Sequence, residues 1–153
     1  MIAYMLMGLP GSGKTTYYNK HLSDKIRVSR DELRIMVNNG KYVYDYDMEP
    51  LIAELSQSYI EKLIKYHFDM VIDETFTNFN YRQSMINLLK LSGYTVIGKY
   101  LSTPIEICIK RRERDGRASS SPWRDIITRM RDHYIVPIEK HGYDELEFIT
   151  EEG

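Results

Sequence analysis

Eight consecutive residues, Gly8-Leu9-Pro10-Gly11-Ser12-Gly13-Lys14-Thr15, constrain this chain more than any other stretch. They satisfy the pattern G-x-x-x-x-G-K-[ST] at every position, directly after an apolar run and before a segment that reads as a helix. Glycines let the backbone wrap closely, so that successive N–H groups and a helix N-terminus face bound phosphate. Lys14 adds a point charge there, and the Thr15 hydroxyl can ligate magnesium. Gly8, Pro10, Gly11, Ser12, Gly13, Lys14, Thr15 and Thr16 are therefore the candidate ATP-binding residues. A strand has to precede this loop and a helix has to follow it, which commits the start of the chain to an α/β fold.

The rest of the pattern continues that theme. Residues 2–7 form a short apolar run bounded by glycine, as in a strand buried on both faces of a parallel sheet. Residues 14–22 read as a helix and residues 26–28 as a strand. Ser29, with Glu32 three residues on, makes a capping box that opens a helix toward Asn38, ended by Asn39-Gly40. A tyrosine-rich loop over residues 41–47 is followed by an amphipathic helix over 50–66 and a strand at 70–72 that ends in Asp73. Helices are then expected over 81–91, 104–112 and 123–138, with a strand over 94–101. Strands alternating with helices imply right-handed crossovers and a parallel sheet covered on both faces.

One domain over residues 1–153 suits this length, and an apolar content of 42% with 28% charge is that of a chain folded throughout. A single cysteine, Cys108, allows no internal disulfide, and no Cys/His spacing suggests zinc, so a cytoplasmic setting is expected. The apolar start is too short to cross a bilayer. Net charge is −1, which gives no general argument for a polyanion partner, yet the charge is unevenly placed. Residues 110–117 concentrate basic side chains, and residues 143–153 carry acidic ones without Lys or Arg, which suggests a solvated tail after the last element.

Phosphoryl transfer asks for a second carboxylate on the metal side and for an acceptor site. Asp73, closing an apolar strand, stands where such a carboxylate would support the metal, and Glu74 beside it is the other candidate. Asp31 and Arg34 lie three apart at the start of the helix after the second strand, so a carboxylate able to take a hydroxyl proton would stand beside a cation able to hold a phosphate. From the residues alone, Asp31 could equally be favourable charge at a helix N-terminus. Asn78 reads mainly as a cap. Tyr42, Tyr44 and Tyr46 could stack on bases or pack on the core, with packing preferred, and Trp123 reads as an anchor for the last helix.

In order along the chain, the loop at residues 8–15, Arg30-Asp31-Glu32-Leu33-Arg34, Asp73-Glu74-Thr75 and the basic stretch Arg111 to Arg117 resemble the kinase domain of phage-type polynucleotide 5′-hydroxyl kinases. The resemblance implies a P-loop kinase fold with a basic lid, here residues 111–122. It implies that Asp31 is the general base, that Arg34 binds a phosphate of the acceptor, and that a lid arginine, Arg114 or Arg117, stabilises charge on the transferred group. Arg112 fits a solvated basic face better than its neighbours do. Lys14, Asp31, Arg34, Arg114 and Arg117 are thus the candidate catalytic residues, and Thr15, Asp73 and Glu74 the candidate metal ligands.

The expected reaction is ATP- and magnesium-dependent phosphorylation of a 5′-hydroxyl end of DNA or RNA. A kinase for a nucleoside or other small hydroxyl metabolite shares the donor chemistry and is the alternative. A nucleotide-binding interaction module is a further one, in which Asp31 and Arg34 would have no purpose.

Overall fold

A computed structural model describes residues 1–150. Along the chain run β1 (Ile2–Met7), α1 (Lys14–His21), β2 (Ile26–Ser29), α2 (Arg30–Val37), β3 (Val43–Tyr44), α3 (Glu49–Lys65), β4 (Met70–Asp73) and α4 (Phe79–Leu91). Then follow β5 (Thr95–Leu101), α5 (Ile105–Arg114), β6 (Ala118–Ser119), α6 (Trp123–His133), a 3-10 turn (Glu139–His141) and β7 (Glu145–Ile149). Five strands form one parallel sheet in the order β2-β4-β1-β5-β7. This is the α/β architecture of a P-loop kinase fold, with helices on both sheet faces.

Central β1 shows why its sequence is uniformly apolar. Ala3, Met5 and Met7 point into the core beneath α3 and α4, while Leu6 points into the core beneath α1 with Leu22, Val71 and Leu101. Successive strand side chains alternate faces, so two covered faces demand a continuous apolar run. Each fully buried aliphatic side chain contributes about 1.5–3 kcal/mol, enough for β1 to hold the loop at its end against the strain of wrapping.

Register brings the chemistry to one edge. Leu6 and Ser29 are both in line with Asp73, so β1, β4 and β2 end together. The loop after β1, the start of α2 and the Asp73-Glu74 pair therefore share the carboxyl end of the sheet. A separate two-strand pairing joins β3 to β6, Val43 opposite Ala118 and Tyr44 opposite Ser119, and the Ser120 N–H donates to the Tyr44 carbonyl at 2.7 Å. The tyrosine loop and the segment after α5 are thus fastened to each other.

Two expectations are corrected. Residues 145–149 are not a solvated tail but the edge strand β7, paired with β5 from Ile97 opposite Glu145 to Leu101 opposite Ile149. The segment Glu-Leu-Glu-Phe-Ile alternates charge with apolar side chains, as an edge strand with one wet side does; counting acids alone hides this period. Gly98 makes room for it, since a Cβ there would stand 2.8 Å from both Leu146 Cδ1 and Tyr143 Cδ1. The last three residues of the expected tail lie outside the described residues. The final helix ends at His133 rather than at residue 138: Tyr134 is extended and Pro137 follows, so residues 134–138 run as a strap whose Tyr134 hydroxyl donates to the Thr75 carbonyl at 2.5 Å. Among the described residues no helix is long and apolar enough to cross a membrane.

Candidate active site

The loop between β1 and α1 closes around its own lysine. Lys14 Nζ donates to the carbonyls of Gly8 at 2.9 Å and Leu9 at 3.0 Å, and Thr103 Oγ1 donates to the Ser12 carbonyl at 2.7 Å. Gly11, with φ of 80°, lies against α5 so closely that a Cβ would stand 2.4 Å from the Cys108 carbonyl oxygen. Burial lowers the Lys14 pKa, opposed by Asp73 and Asp31. Ser12 Oγ is buried without a hydrogen-bond partner among the described residues, a polar group left over in a loop built of such groups.

On the metal side, Thr15 and Asp73 converge. Arg27 Nη2 lies 2.9 Å from Thr15 Oγ1 and 2.6 Å from Asp73 Oδ2, and Arg27 Nε donates to the same carboxylate oxygen at 3.0 Å. A hydroxyl and a carboxylate that meet on one positively charged nitrogen form a donor set that fits a hard divalent cation, with phosphate oxygens and water completing it. Burial raises the Asp73 pKa, while Lys14 and Arg27 oppose that shift.

Glu74 turns the other way. It accepts from Ser56 Oγ at 2.8 Å and from the Tyr81 hydroxyl at 3.2 Å, and pairs with Arg30 Nε at 3.2 Å. Among the described residues, then, Asp73 is the member of the pair that Arg27 joins to Thr15, whereas Glu74 is held by Ser56, Tyr81 and Arg30; both line the same cavity.

Two cavities meet at three side chains. One, of about 350 Å³, is lined by Gly11, Gly13, Thr15, Thr16, Arg111 and Arg117. The other, of about 250 Å³, is lined by Arg30, Arg34, Tyr44, Glu49, Glu74 and Trp123, among others. Lys14, Asp31 and Arg112 line both. The two cavities are therefore neighbours across Lys14, Asp31 and Arg112.

Asp31 is enclosed by cations. Its Oδ1 accepts from Arg34 Nη1 at 2.7 Å, and its Oδ2 from Arg112 Nη2 and Arg117 Nη1, each at 3.3 Å. Burial by itself would raise its pKa, but Arg112, Arg34, Lys14 and Arg117 together hold it at about 2. Arg34 is occupied twice: beyond Asp31, its Nε donates to Glu49 Oε2 at 3.0 Å and its Nη2 to Glu49 Oε1, with the Tyr44 ring 4.8 Å away.

Of the residues singled out from sequence, the loop, Lys14, Thr15, Thr16, Asp31, Arg34, Asp73 and Arg117 converge at this edge, and Pro10 and Glu74 line the second cavity. Arg114 does not converge; it is exposed and lines neither cavity. Arg112 is the reverse case and a correction: expected on a solvated face, it is 6% exposed and stacks over Trp123 and Tyr42. Helix α5 turns Cys108, Ile109 and Arg112 inward on one face, and Arg114, two residues on, falls on the far side.

Tyr42 and Tyr44 pack on Trp123, whose indole N–H holds the Arg117 carbonyl at 2.8 Å. Asn78 caps α4 through the Tyr81 N–H. Sequence reasoning missed Arg27 and Glu49, and gave Arg30 no role beyond opening the Arg30–Arg34 motif. Arg27 lies within β2 and Arg30 opens the motif that follows it, but Glu49 carried no signal, because only the packing of α3 against α2 brings it to Arg34.

A protein-family model described as an AAA domain matches residues 4–137. The chain is 22% identical over 147 residues to the L-seryl-tRNA(Sec) kinase of Methanococcus maripaludis, covering 92% of this chain and 55% of that protein, so it spans about half the length of this relative. Among solved structures it resembles a candidate kinase from Chloroflexus aurantiacus in fold, with a TM-score of 0.73 at 13% identity over 97% of this chain and 87% of the other. It also resembles a chain of a Pnkp1/Rnl/Hen1 complex, with a TM-score of 0.57 at 28% identity over 71% of this chain and 38% of the other.

Proposed function

This chain belongs to the AAA domain family and is a P-loop kinase-like domain, and on that premise we propose that it transfers the γ-phosphoryl group of ATP to a terminal 5′-hydroxyl of DNA or RNA. The observation that carries the transfer reaction is the position of Asp31 on the wall shared by the two cavities, beside Lys14. Support for a nucleic acid acceptor comes from the ordered motifs, from a relative named for a kinase of seryl-tRNA, and from the likeness to a chain of the Pnkp1/Rnl/Hen1 complex.

In this reading the loop N–H groups and Lys14 hold the phosphates of ATP, with Lys14 Nζ leaving the Gly8 and Leu9 carbonyls for phosphate oxygen. Thr15 and Asp73 would hold magnesium, which when bound would supply positive charge to those phosphates. Asp31 accepts the proton of the acceptor hydroxyl as its oxygen bonds to phosphorus and the bond to the ADP oxygen breaks. Arg112 and Arg117 stand close enough to Asp31 to meet the negative charge that develops on the transferred group. Arg34 orients Asp31 and reaches the acceptor.

A second reading is favoured by one contact. Glu49 already fills the fork of Arg34, which suits an acceptor that brings no phosphate next to its hydroxyl, such as a small hydroxyl compound. The deciding experiment is transfer of labelled γ-phosphate to 5′-hydroxyl oligonucleotides beside a panel of nucleosides and small alcohols, with Asp31→Asn as control. Labelled oligonucleotide, lost in Asp31→Asn while ATP still binds, is the expected result. An enzyme that labels a small acceptor and no oligonucleotide refutes the polynucleotide reading.

A further inference from the structure

Arg27 belongs to none of the motifs that point to this site, yet it makes a close charged contact in it, with Asp73. It lies on β2, opposite Val71 of β4, with its side chain 12% exposed and its guanidinium carbon 4.8 Å from the centroid of the Tyr18 ring. That packing aims the guanidinium along the carboxyl edge of the sheet, where Nη2 lies 2.6 Å from Asp73 Oδ2 and 2.9 Å from Thr15 Oγ1. Its Nη1 faces Glu32 at 3.5 Å.

Neutralising Asp73 requires a single contact. Instead, one nitrogen is shared between the carboxylate and the threonine hydroxyl, the two side chains that would hold the metal. The positive charge of Arg27 therefore sits at the point a divalent cation has to approach, and two like charges there oppose each other.

We infer that Arg27 is a positioning residue of the metal side: its guanidinium holds Thr15 and Asp73 together, neutralises Asp73, and gives way to the cation that arrives with nucleotide. Arg27 thereby sets how much divalent cation the protein needs, and keeps a buried carboxylate from standing uncompensated when no nucleotide is bound. This rests on the donor half of the proposed function.

The test is a titration of Mn²⁺ in the presence of a β,γ-imido analogue of ATP, with free Mn²⁺ read by electron paramagnetic resonance, on wild type, Arg27→Met and Arg27→Lys. Without the competing charge, Arg27→Met should reach half-saturation at about tenfold lower Mn²⁺. Arg27→Lys, which keeps the charge, should stay near wild type. In parallel, the melting temperature of Arg27→Met should fall without metal and nucleotide, and their addition should raise it by more than in wild type. A merely structural salt bridge would lower both melts equally and leave the Mn²⁺ dependence unchanged. Half-saturation of Arg27→Met at the wild-type concentration or above it overturns the inference alone; a wild-type protein whose nucleotide binding ignores Mn²⁺ overturns the donor half of the functional reading as well.

Discussion

Arg112 Nη2 lies 3.3 Å from Asp31 Oδ2, although 81 positions separate the two residues in the chain. Through this contact the start of α2 and the end of α5 become one site, and the carboxylate on the shared cavity wall is held by a side chain that the basic stretch offered no reason to prefer. With Arg34 and Arg117 also bonded to it, Asp31 is a poor base as it stands, because its pKa of about 2 leaves little affinity for a proton. Phosphate oxygens entering beside Lys14 would compete for Arg112 and Arg117, and each arginine drawn away makes Asp31 more basic. Donor binding would then prepare the base.

The depressed pKa of Asp31 predicts a loss of stability in acid. A carboxylate at about 2 in the folded chain and at the ordinary 3.8 in the unfolded one stabilises the fold above the unfolded pKa, and that contribution disappears as pH falls through the folded one. At neutral pH it amounts to about 2 kcal/mol, of which about half is gone by pH 3. Urea unfolding of wild type and Asp31→Asn at pH 7 and pH 3 checks this: the advantage of wild type should shrink by about 1 kcal/mol between the two. An advantage that does not change with pH means that Asp31 is not so depressed.

Arg112→Ala and Arg114→Ala should separate cleanly. Loss of Arg112 removes a cation from both cavities, so phosphoryl transfer should fall by at least about a hundredfold. Arg114 is exposed and lines neither cavity, so its removal should leave the rate within about twofold. Single-turnover transfer with ATP-binding controls measures both.

Glu49→Gln should keep a hydrogen bond to Arg34 while removing the charge that neutralises it. If the acceptor carries a phosphate near its hydroxyl, KM for an oligonucleotide should fall about three- to tenfold with kcat little changed. Arg34→Met should instead lower stability by about 3–5 kcal/mol, because it leaves Asp31 and Glu49 close together without the cation between them. Steady-state kinetics and thermal melts read these outcomes.

Gly98→Ala should detach the final strand without emptying the nucleotide site. The new Cβ would press on Leu146 and Tyr143 at 2.8 Å, an overpacking that costs about 1–3 kcal/mol. Amide exchange should speed up over residues 145–149, and ATP affinity should stay within a few-fold of wild type. Equal protection of that segment in both proteins would contradict the account of how it docks.

What the chain's own order of residues determined is whatever depends on neighbours. The glycines and Lys14 specify a phosphate loop, the apolar run of β1 specifies a strand buried on two faces, Ser29 specifies the start of α2, and the alternation of strands and helices specifies a parallel sheet. Each follows from local backbone chemistry or from a period of a few residues. Tertiary structure decided what depends on facing. Whether Arg112 or Arg114 entered the site turned on two residues of helix rotation on α5, whose inward face is settled only when Trp123 and Tyr42 pack on it. Glu49 reached Arg34, and Arg27 reached Thr15 and Asp73, because α3 packs on α2 and β2 pairs with β4. The acidic end became a strand because β5 carried a glycine opposite it and an open edge to pair with. Charge and hydrogen bonding act over a few ångströms of space, and along the chain those ångströms are separated by tens of residues.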